Sequence, residues 1–158
     1  MRPKSTGFTL LETVVVMAII AITVVSLPPM LQWMRQQGVV HAVNQLRADI
    51  QLARLIAINR QRTCTIAFNQ PGNNQYTNLL NGIHNDLAGY RGGVQFLKLG
   101  PDGKKMADKV AFNKQGMSVT VIPINVFVTD QARSKIYRLQ IRLPGGVSLA
   151  LWRADKWL

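Results

Sequence analysis

The sequence has few of the residue types from which catalytic and metal sites are built. Cys64 is its only cysteine, so no intramolecular disulfide can form, and we expect this thiol to act as a small core hydrophobe. Seven acidic residues and two histidines are spread along the chain without the spacing of a calcium loop or a zinc site. The sequence therefore predicts a protein that is not an enzyme and that holds no metal or cofactor.

Acidic residues are also scarce beside basic ones. The chain has 19 lysines and arginines against seven acids, which gives a net charge of +12. Such an excess favours an anionic partner, namely phospholipid head groups, nucleic acid or an acidic protein surface. The charge alone does not choose among these three.

What the sequence does have is one long hydrophobic run directly after a short basic leader. From Phe8 to Leu31 there are 24 residues, and Glu12 is the only charged one. About 20 apolar residues span a bilayer, so we expect residues 8–31 to form a transmembrane helix. A carboxylate within such a helix costs a few kcal/mol, so it is normally kept with a partner or a function.

Glu12 has two interpretations. If the chain were cleaved after Gly7, the freed amine of Phe8 would carry a positive charge, and Glu12 of a neighbouring subunit could pair with it. Alternatively, the carboxylate reaches the membrane interface from near the helix end without any partner. The glycine, the phenylalanine and the short leader favour the first interpretation, in which Glu12 acts in assembly.

A conventional signal peptide is the competing interpretation of the N-terminus. Arg2 and Lys4 supply its positive start, but such peptides are cut after their apolar core. Here Ala21-Ile22-Thr23 is a poor cleavage site and the helical pattern continues beyond it. We therefore expect the hydrophobic helix to stay in the mature protein. If no cleavage occurred at all, the helix would instead anchor an enzyme or chaperone whose N-terminus is Met1.

Beyond the hydrophobic run, apolar residues continue at helical spacing. Six of them form one stripe with steps of four, three, four, three and four residues: Val39, Val43, Leu46, Ile50, Ala53 and Ala57. The stripe predicts that the helix continues to about residue 60 and lays this face on a folded domain. Within the helix, Pro28 and Pro29 predict a kink, and Gly38 predicts a flexible point.

After Arg62 the apolar period changes to two, which predicts strands. Cys64, Ile66 and Phe68 share one face of the first strand, whereas residues 69–85 are rich in Asn, Gln and Gly and predict a loop. Further strands are predicted at 94–99, 109–113, 118–128, 135–143 and 147–152, with a hairpin turn at 144–146. The predicted fold class is α+β, a long N-terminal helix packed by its C-terminal half on an antiparallel β-sheet.

The stretch Lys4-Ser5-Thr6-Gly7 followed by Phe8-Thr9-Leu10-Leu11-Glu12 resembles the class III leader of type IV pilins and type II secretion pseudopilins. The resemblance implies that a prepilin peptidase cleaves after Gly7 and methylates the new amine of Phe8. It also implies that Glu12 acts in filament assembly, and that the helix bends at Pro29, where the family often has a proline; Pro28 precedes it here and makes a double proline. The missing disulfide disfavours a major pilin.

Later segments resemble the GspH/FimT branch of minor pseudopilins. They are the helix end from Leu46 to Arg60, the step Phe112-Asn113-Lys114-Gln115-Gly116, and the hairpin from Arg138 to Val147. The resemblance implies a cleaved leader (1–7), a transmembrane and assembly helix (8–31), its amphipathic continuation (32–60) and a β-rich periplasmic domain (61–158).

This family resemblance also implies a location and partners. It implies a single-pass inner-membrane protein that contacts membrane lipid and assembles with other pseudopilins or pilins into a periplasmic filament. The filament is expected to be the pseudopilus of a type II secretion system. The alternative is a type IV pilus minor pilin of the FimT or FimU kind, with a role in pilus biogenesis or DNA uptake.

A basic face is predicted on the strand near residue 138, because Arg138 and Arg142 alternate with apolar residues. A candidate patch for DNA or an acidic protein surface adds three further cations: Arg133, Lys135 and Arg153. The FimT side of the resemblance includes DNA-binding minor pilins that use a Gly-Arg-x-Arg element. That element is missing here, since the hairpin reads Gly145-Gly146-Val147-Ser148. A solvated basic face is therefore favoured over a DNA site.

Overall fold

The computed structural model describes residues 9–119 and 123–158 and divides the chain into two compact units. The first unit extends to Met34, and the second runs from Arg35 to Leu158. One helix, α1 (Leu10–Asn59), precedes all of the strands. The strands of the described residues are β1 (Cys64–Phe68), β2 (Gln75–Asn78), β3 (His84–Asp86), β4 (Gln95–Leu97), β5 (Lys109–Phe112), β6 (Ile124–Thr129), β7 (Ile136–Arg142), β8 (Gly146–Arg153) and β9 (Lys156–Trp157).

Helix α1 ends at a defined stop. Gln61 adopts a left-handed backbone conformation with a φ of 50°. Its N–H donates to the Ile58 carbonyl at 3.3 Å, and the Arg62 N–H donates to the Ala57 carbonyl at 3.2 Å. This pair of bonds is a Schellman motif, which satisfies carbonyls that would otherwise lack a partner at the helix end. The helix thus ends within about one residue of the predicted position.

The predicted apolar stripe is the part of α1 that is buried. All six stripe residues are at most 1% exposed. They share one core cluster with side chains from both sheets, among them Phe112 and Leu139. Burial of apolar surface contributes about 25 cal/mol per Å², so this packing holds the second part of the helix in place. The prediction that the stripe lies on a folded domain is confirmed.

Gly38 is not the flexible point that the sequence suggested. It is buried, and a Cβ placed on it would lie 1.9 Å from the carbonyl oxygen of Arg91. Glycine is therefore needed here so that the helix can approach the loop around Arg91. The prediction was wrong because a helical glycine serves close packing as well as flexibility, and the sequence does not distinguish the two.

The strands form two antiparallel sheets, where the sequence predicted one. Four strands pair in the order β3-β2-β1-β5, and five pair in the order β4-β6-β7-β8-β9. The α+β class, with the helix packed on antiparallel sheet, is confirmed. Strands β2 and β3 were missed because residues 69–85 are mostly polar and lack the β-branched pattern of a buried strand. The two-residue strand β9 was also missed.

The remaining predicted strands are present, most of them with shifted ends. The largest shift concerns the predicted strand 118–128, because β6 begins only at Ile124. Pro123 directly precedes β6, and a proline has no N–H to donate to a sheet. Residues 120–122 lie outside the described part of the chain.

Candidate assembly and anion-binding sites

Glu12 lies in the first turn of α1, and its side chain is exposed. Thr9 caps this turn, because its hydroxyl oxygen accepts the Glu12 N–H at 3.3 Å and its carbonyl accepts the same N–H at 3.1 Å. Thr9-Leu10-Leu11-Glu12 has the sequence of a capping box. The N–H groups at a helix start carry partial positive charge, which stabilises a carboxylate close by. Glu12 is therefore placed where the helix favours a negative charge, with its side chain accessible from outside.

The predicted processing site precedes this turn. Gly7 and Phe8 lie outside the described residues, so cleavage after Gly7 and methylation of Phe8 stay predictions. Pro28 and Pro29 lie within α1, whose helical backbone is continuous from Leu10 to Asn59. The kink expected at the two prolines also stays a prediction.

The first part of α1 is apolar on every side. Every residue from Leu10 to Val25 is exposed, and the large apolar side chains of Leu11 and Met17 are each 74% exposed. A helix that is hydrophobic all round is normally buried in protein or in membrane. Within residues 9–119 and 123–158, no helix combines the length and the hydrophobicity of a membrane span. The transmembrane assignment of residues 8–31 is not confirmed.

Arg138 does not belong to a solvated basic face. Its side chain is 12% exposed, and its Nη1 lies 3.4 Å from Asp102 Oδ2. Its guanidinium carbon lies 4.3 Å from the centre of the Trp157 ring, and that ring stacks on Phe127 at 5.8 Å. We name Asp102, Phe127, Arg138 and Trp157 the outer-face cluster, since β7 directs Leu139 and Ile141 to the core from its opposite face. This arginine supports the fold.

Asp102 is the anion of the outer-face cluster. It accepts the Trp157 Nε1–H at 3.0 Å, and the ammonium of Lys104 lies 3.3 Å away. Burial raises the pKa of the Asp102 carboxyl, but the hydrogen bonds from Trp157 and Lys104 and the charge of Lys104 outweigh burial and leave the pKa below its ordinary value. The cluster therefore contains a carboxylate that stays ionised near neutral pH.

The other four predicted cations are divided between the two ends of β7. Arg133 and Lys135 precede the start of this strand, and Arg142 is its last residue. The seven residues of β7 extend over about 23 Å. The antiparallel register of β7 and β8 places Arg153 beside the start of β7. The structure therefore brings Arg133, Lys135 and Arg153 to one end and Arg142 to the other, so the five predicted cations do not form one patch.

Three segments meet at the Arg142 end of the domain. Arg54 of α1 donates its Nε–H to the Gly116 carbonyl at 2.8 Å, and a Cβ on Gly145 would lie 2.6 Å from the same oxygen. Gly116 has a φ of 75°, and a Cβ there would lie 2.5 Å from Ile58 Cδ1. The Phe112–Gly116 step is thus a buried ring followed by a turn that only glycine fits.

A polar contact between α1 and the first sheet was not predicted from the sequence. Asp49 accepts hydrogen bonds from the Tyr76 hydroxyl at 2.5 Å and from Asn85 Nδ2 at 3.0 Å. Burial, and then the hydrogen bond to Asp49, raise the pKa of Tyr76, so the phenol keeps the proton that it donates. No signal in the sequence indicated this contact, because Asp49 lies off the apolar stripe and both partners lie in the predicted loop.

Cys64 behaves as a core residue. It is fully buried, its Sγ lies 3.2 Å from Asn78 Oδ1, and burial raises the pKa of its thiol. Within the described parts of the chain, no three His, Cys, Asp or Glu side chains are grouped so that they could hold a metal ion.

Two protein-family models match the sequence. Residues 2–27 match the prokaryotic N-terminal methylation motif, and residues 42–145 match type II transport protein GspH. No curated protein matches the sequence significantly.

Among solved structures, the chain is similar to two crystal forms of the type IV minor pilin FimU from Pseudomonas aeruginosa. The first superposes with a TM-score of 0.55 at 16% identity, covering 80% of this chain and 96% of the chain in that crystal structure. The second superposes with a TM-score of 0.51 at 16% identity, covering 75% and 95%. At this identity the likeness establishes the fold, and the pilin-like architecture predicted from the sequence is confirmed.

Proposed function

Because the chain belongs to the GspH family of type II transport proteins, we propose that it is a minor pseudopilin of a type II secretion system. In this proposal the prepilin peptidase removes residues 1–7 and the helix anchors the chain once across the inner membrane. The subunit then enters a periplasmic filament that drives protein export. The observation that carries the proposal is a methylation motif over residues 2–27 at the start of a helix that exposes apolar side chains on every side.

Assembly follows from the chemistry of the helix start. The freed, methylated amine of Phe8 carries a positive charge, and the exposed carboxylate of Glu12 carries a negative one. In lipid each charge costs a few kcal/mol, and pairing Glu12 of one subunit with the amine of the next removes both costs together. The pair sets the axial register, whereas contacts between exposed apolar helix faces such as Leu10–Val25 supply most of the energy. The chain acts as a structural component and not as an enzyme.

A type IV pilus minor pilin is the second candidate, and the fold likeness to FimU is the observation that favours it. The proposed helix chemistry is the same in both systems, so the two candidates differ in the filament that the subunit enters. Deleting the gene distinguishes them, since loss of protein secretion with intact pili supports the pseudopilus, and loss of pili with intact secretion supports the minor pilin.

The assembly mechanism is tested by Glu12→Ala. We expect leader cleavage to proceed as in the unaltered chain, because the cleavage site itself is unchanged. Filament incorporation should fall by at least about tenfold, since an unpaired amine in lipid costs more than about 1.4 kcal/mol. Mass spectrometry of the N-terminus and immunoblotting of purified filaments measure the two steps.

Asp108→Ala is the matched control for Glu12→Ala. It also removes one exposed carboxylate, but from the folded domain. We expect normal processing and normal incorporation of this variant. Normal incorporation of Glu12→Ala would exclude the proposed pairing with the Phe8 amine.

A further inference from the structure

Two loops of the second unit bring basic side chains together at the end where the second unit begins. Gly38 of α1 packs directly against the backbone of Arg91. The Gly92 carbonyl accepts the Gln131 N–H at 3.2 Å, which joins the loop around Arg91 to the turn between β6 and β7. Arg133 in that turn is exposed and Lys135 is half-buried, while Arg91 is exposed. We name Arg91, Arg133 and Lys135 the entry collar.

Two carboxylates that precede collar residues in the chain, Asp86 and Asp130, are engaged in local structure. Asp130 is 4% exposed and accepts the Ser134 N–H at 2.7 Å and the Ser134 hydroxyl at 2.6 Å. Asp86 accepts the Ala88 N–H at 2.8 Å and the Gln75 amide at 3.1 Å. Asp155 lies in the turn between β8 and β9, where Arg153 and Lys156 flank it. Basic charge therefore exceeds acidic charge at this end of the domain.

The two loops also enclose an open depression. It has a volume of about 450 Å³ and is lined by Gly92, Gly93, Asp130, Gln131 and Ala132. Arg91 precedes this lining in the sequence and Arg133 follows it. Two collar residues thus flank the lining directly in the sequence, and its one charged side chain, Asp130, is already hydrogen-bonded to Ser134.

The position of the entry collar along the chain selects its partner. Gly38 follows Leu31, the end of the predicted membrane segment, by seven residues. Seven residues of chain reach at most about 25 Å even when fully extended, so the collar is tethered close to the end of the predicted membrane segment. In a membrane-anchored chain this tether keeps lipid head groups within reach of the collar at a high effective concentration, whereas DNA or an acidic protein must arrive from solution.

We propose that the entry collar binds the anionic head groups of membrane phospholipids and thereby seats the periplasmic domain on the membrane before assembly. This inference rests on the proposed membrane anchor. Each basic side chain near an anionic membrane surface raises the binding constant for that surface about fivefold. Entry into a filament would have to release the collar from the lipid, so the contact would hold the subunit in its unassembled state.

Trypsin tests the proposal because it cuts after the collar residues themselves. The full-length chain is reconstituted into phosphatidylcholine vesicles with or without about one third phosphatidylglycerol, and the cleaved peptides are quantified over time. We expect cleavage after Arg91, Arg133 and Lys135 to be at least about fivefold slower with phosphatidylglycerol. Lys114, at the opposite end of the domain, serves as the internal control. Cleavage after Lys114 should be equally fast in the two kinds of vesicle. About 1 M salt, with a screening length near 3 Å, should abolish the difference.

A pair of variants with equal net charge sharpens the test. Arg133→Gln with Lys135→Gln removes two collar cations, and Lys114→Gln with Arg142→Gln removes two from the opposite end. In the first variant we expect most of the protection of the Arg91 site by phosphatidylglycerol to be lost, because two of the three collar cations are gone. In the second variant that protection should be unchanged.

The outcomes separate this inference from the proposed function. A chain that floats with both kinds of vesicle but shows equal cleavage in them would overturn the entry collar alone. Stronger protection by duplex DNA than by phosphatidylglycerol would also overturn it, in favour of a nucleic-acid surface. A chain that floats with neither kind of vesicle would overturn the membrane anchor and the collar together.

Discussion

The two parts of helix α1 have opposite surroundings although they belong to one continuous helix. From Leu10 to Val25 every described side chain is exposed, whereas the stripe from Val39 to Ala57 is at most 1% exposed. The first part is apolar on every side, while the second is apolar on one side only. Exposed apolar side chains in such number mark an interaction surface, for a membrane or for another protein. The second part owes its place to the domain that it packs against.

The strongest test of this comparison removes one leucine from each part of the helix. Leu46→Ala empties a fully buried core position, and we expect the free energy of unfolding of the domain to fall by about 2–5 kcal/mol. Leu11→Ala is the matched control, because Leu11 is exposed, and it should change that free energy by less than about 0.5 kcal/mol. Urea unfolding of the full chain in detergent, followed by tryptophan fluorescence, measures both. Equal changes in the free energy of unfolding would show that the two parts of the helix contribute alike to the stability of the domain.

A smaller effect is expected where the buried part of the helix begins. Gly38→Ala should cost about 1–3 kcal/mol, because the new methyl group meets the Arg91 carbonyl. An alanine in a helix without that contact would instead stabilise it by up to about 1 kcal/mol. The sign of the change in unfolding free energy therefore decides between close packing and flexibility at this position.

Gly89→Ala is the control for Gly38→Ala, since a Cβ on Gly89 meets no atom within 4 Å. It should be nearly neutral in the same unfolding experiment. Stabilisation by Gly38→Ala would contradict the packing of α1 against the Arg91 loop.

The smallest effect concerns the outer-face cluster, on the face of the second sheet that α1 does not cover. Because the pKa of Asp102 is lowered in the folded state, its contribution to stability is present above the unfolded pKa, near 4, and is lost as pH falls through the folded value. Asp102→Asn should therefore reduce stability at pH 7 and weaken the loss of stability below about pH 4. Urea midpoints measured between neutral and acidic pH test this. An unchanged acid dependence in Asp102→Asn would contradict the assignment.

The sequence predicted the parts of the fold that depend on repetition. The six stripe residues were found because burial repeats at each helical turn, and the hairpin turn was found because proline and glycine mark it. Strands β2 and β3 escaped because polar residues form them and their contact with the helix runs through Asp49, a single hydrogen-bonded carboxylate. Such a contact is long-range and has no period, so the sequence does not display it.

The candidate sites also include some that a sequence pattern reveals and others that only the folded structure reveals. Glu12 stood out because a lone charge in an apolar run is visible in the sequence. Arg138 was misplaced because strand alternation predicts which face a side chain occupies, but not what covers that face. Trp157 and Asp102 cover it from distant segments of the chain. The entry collar was likewise hidden, since the two loops that carry Arg91 and Arg133 are joined by a backbone hydrogen bond between Gly92 and Gln131.

Mass spectrometry of the subunit in purified filaments shows whether the assembled chain has lost residues 1–7. We predict that the chain is found there and begins with methylated Phe8, because the freed amine pairs with Glu12 of a neighbouring subunit and so sets the register in which the exposed helix faces pack. A chain that begins with Met1 and stays in the membrane fraction, in cells that contain the prepilin peptidase, would contradict the account.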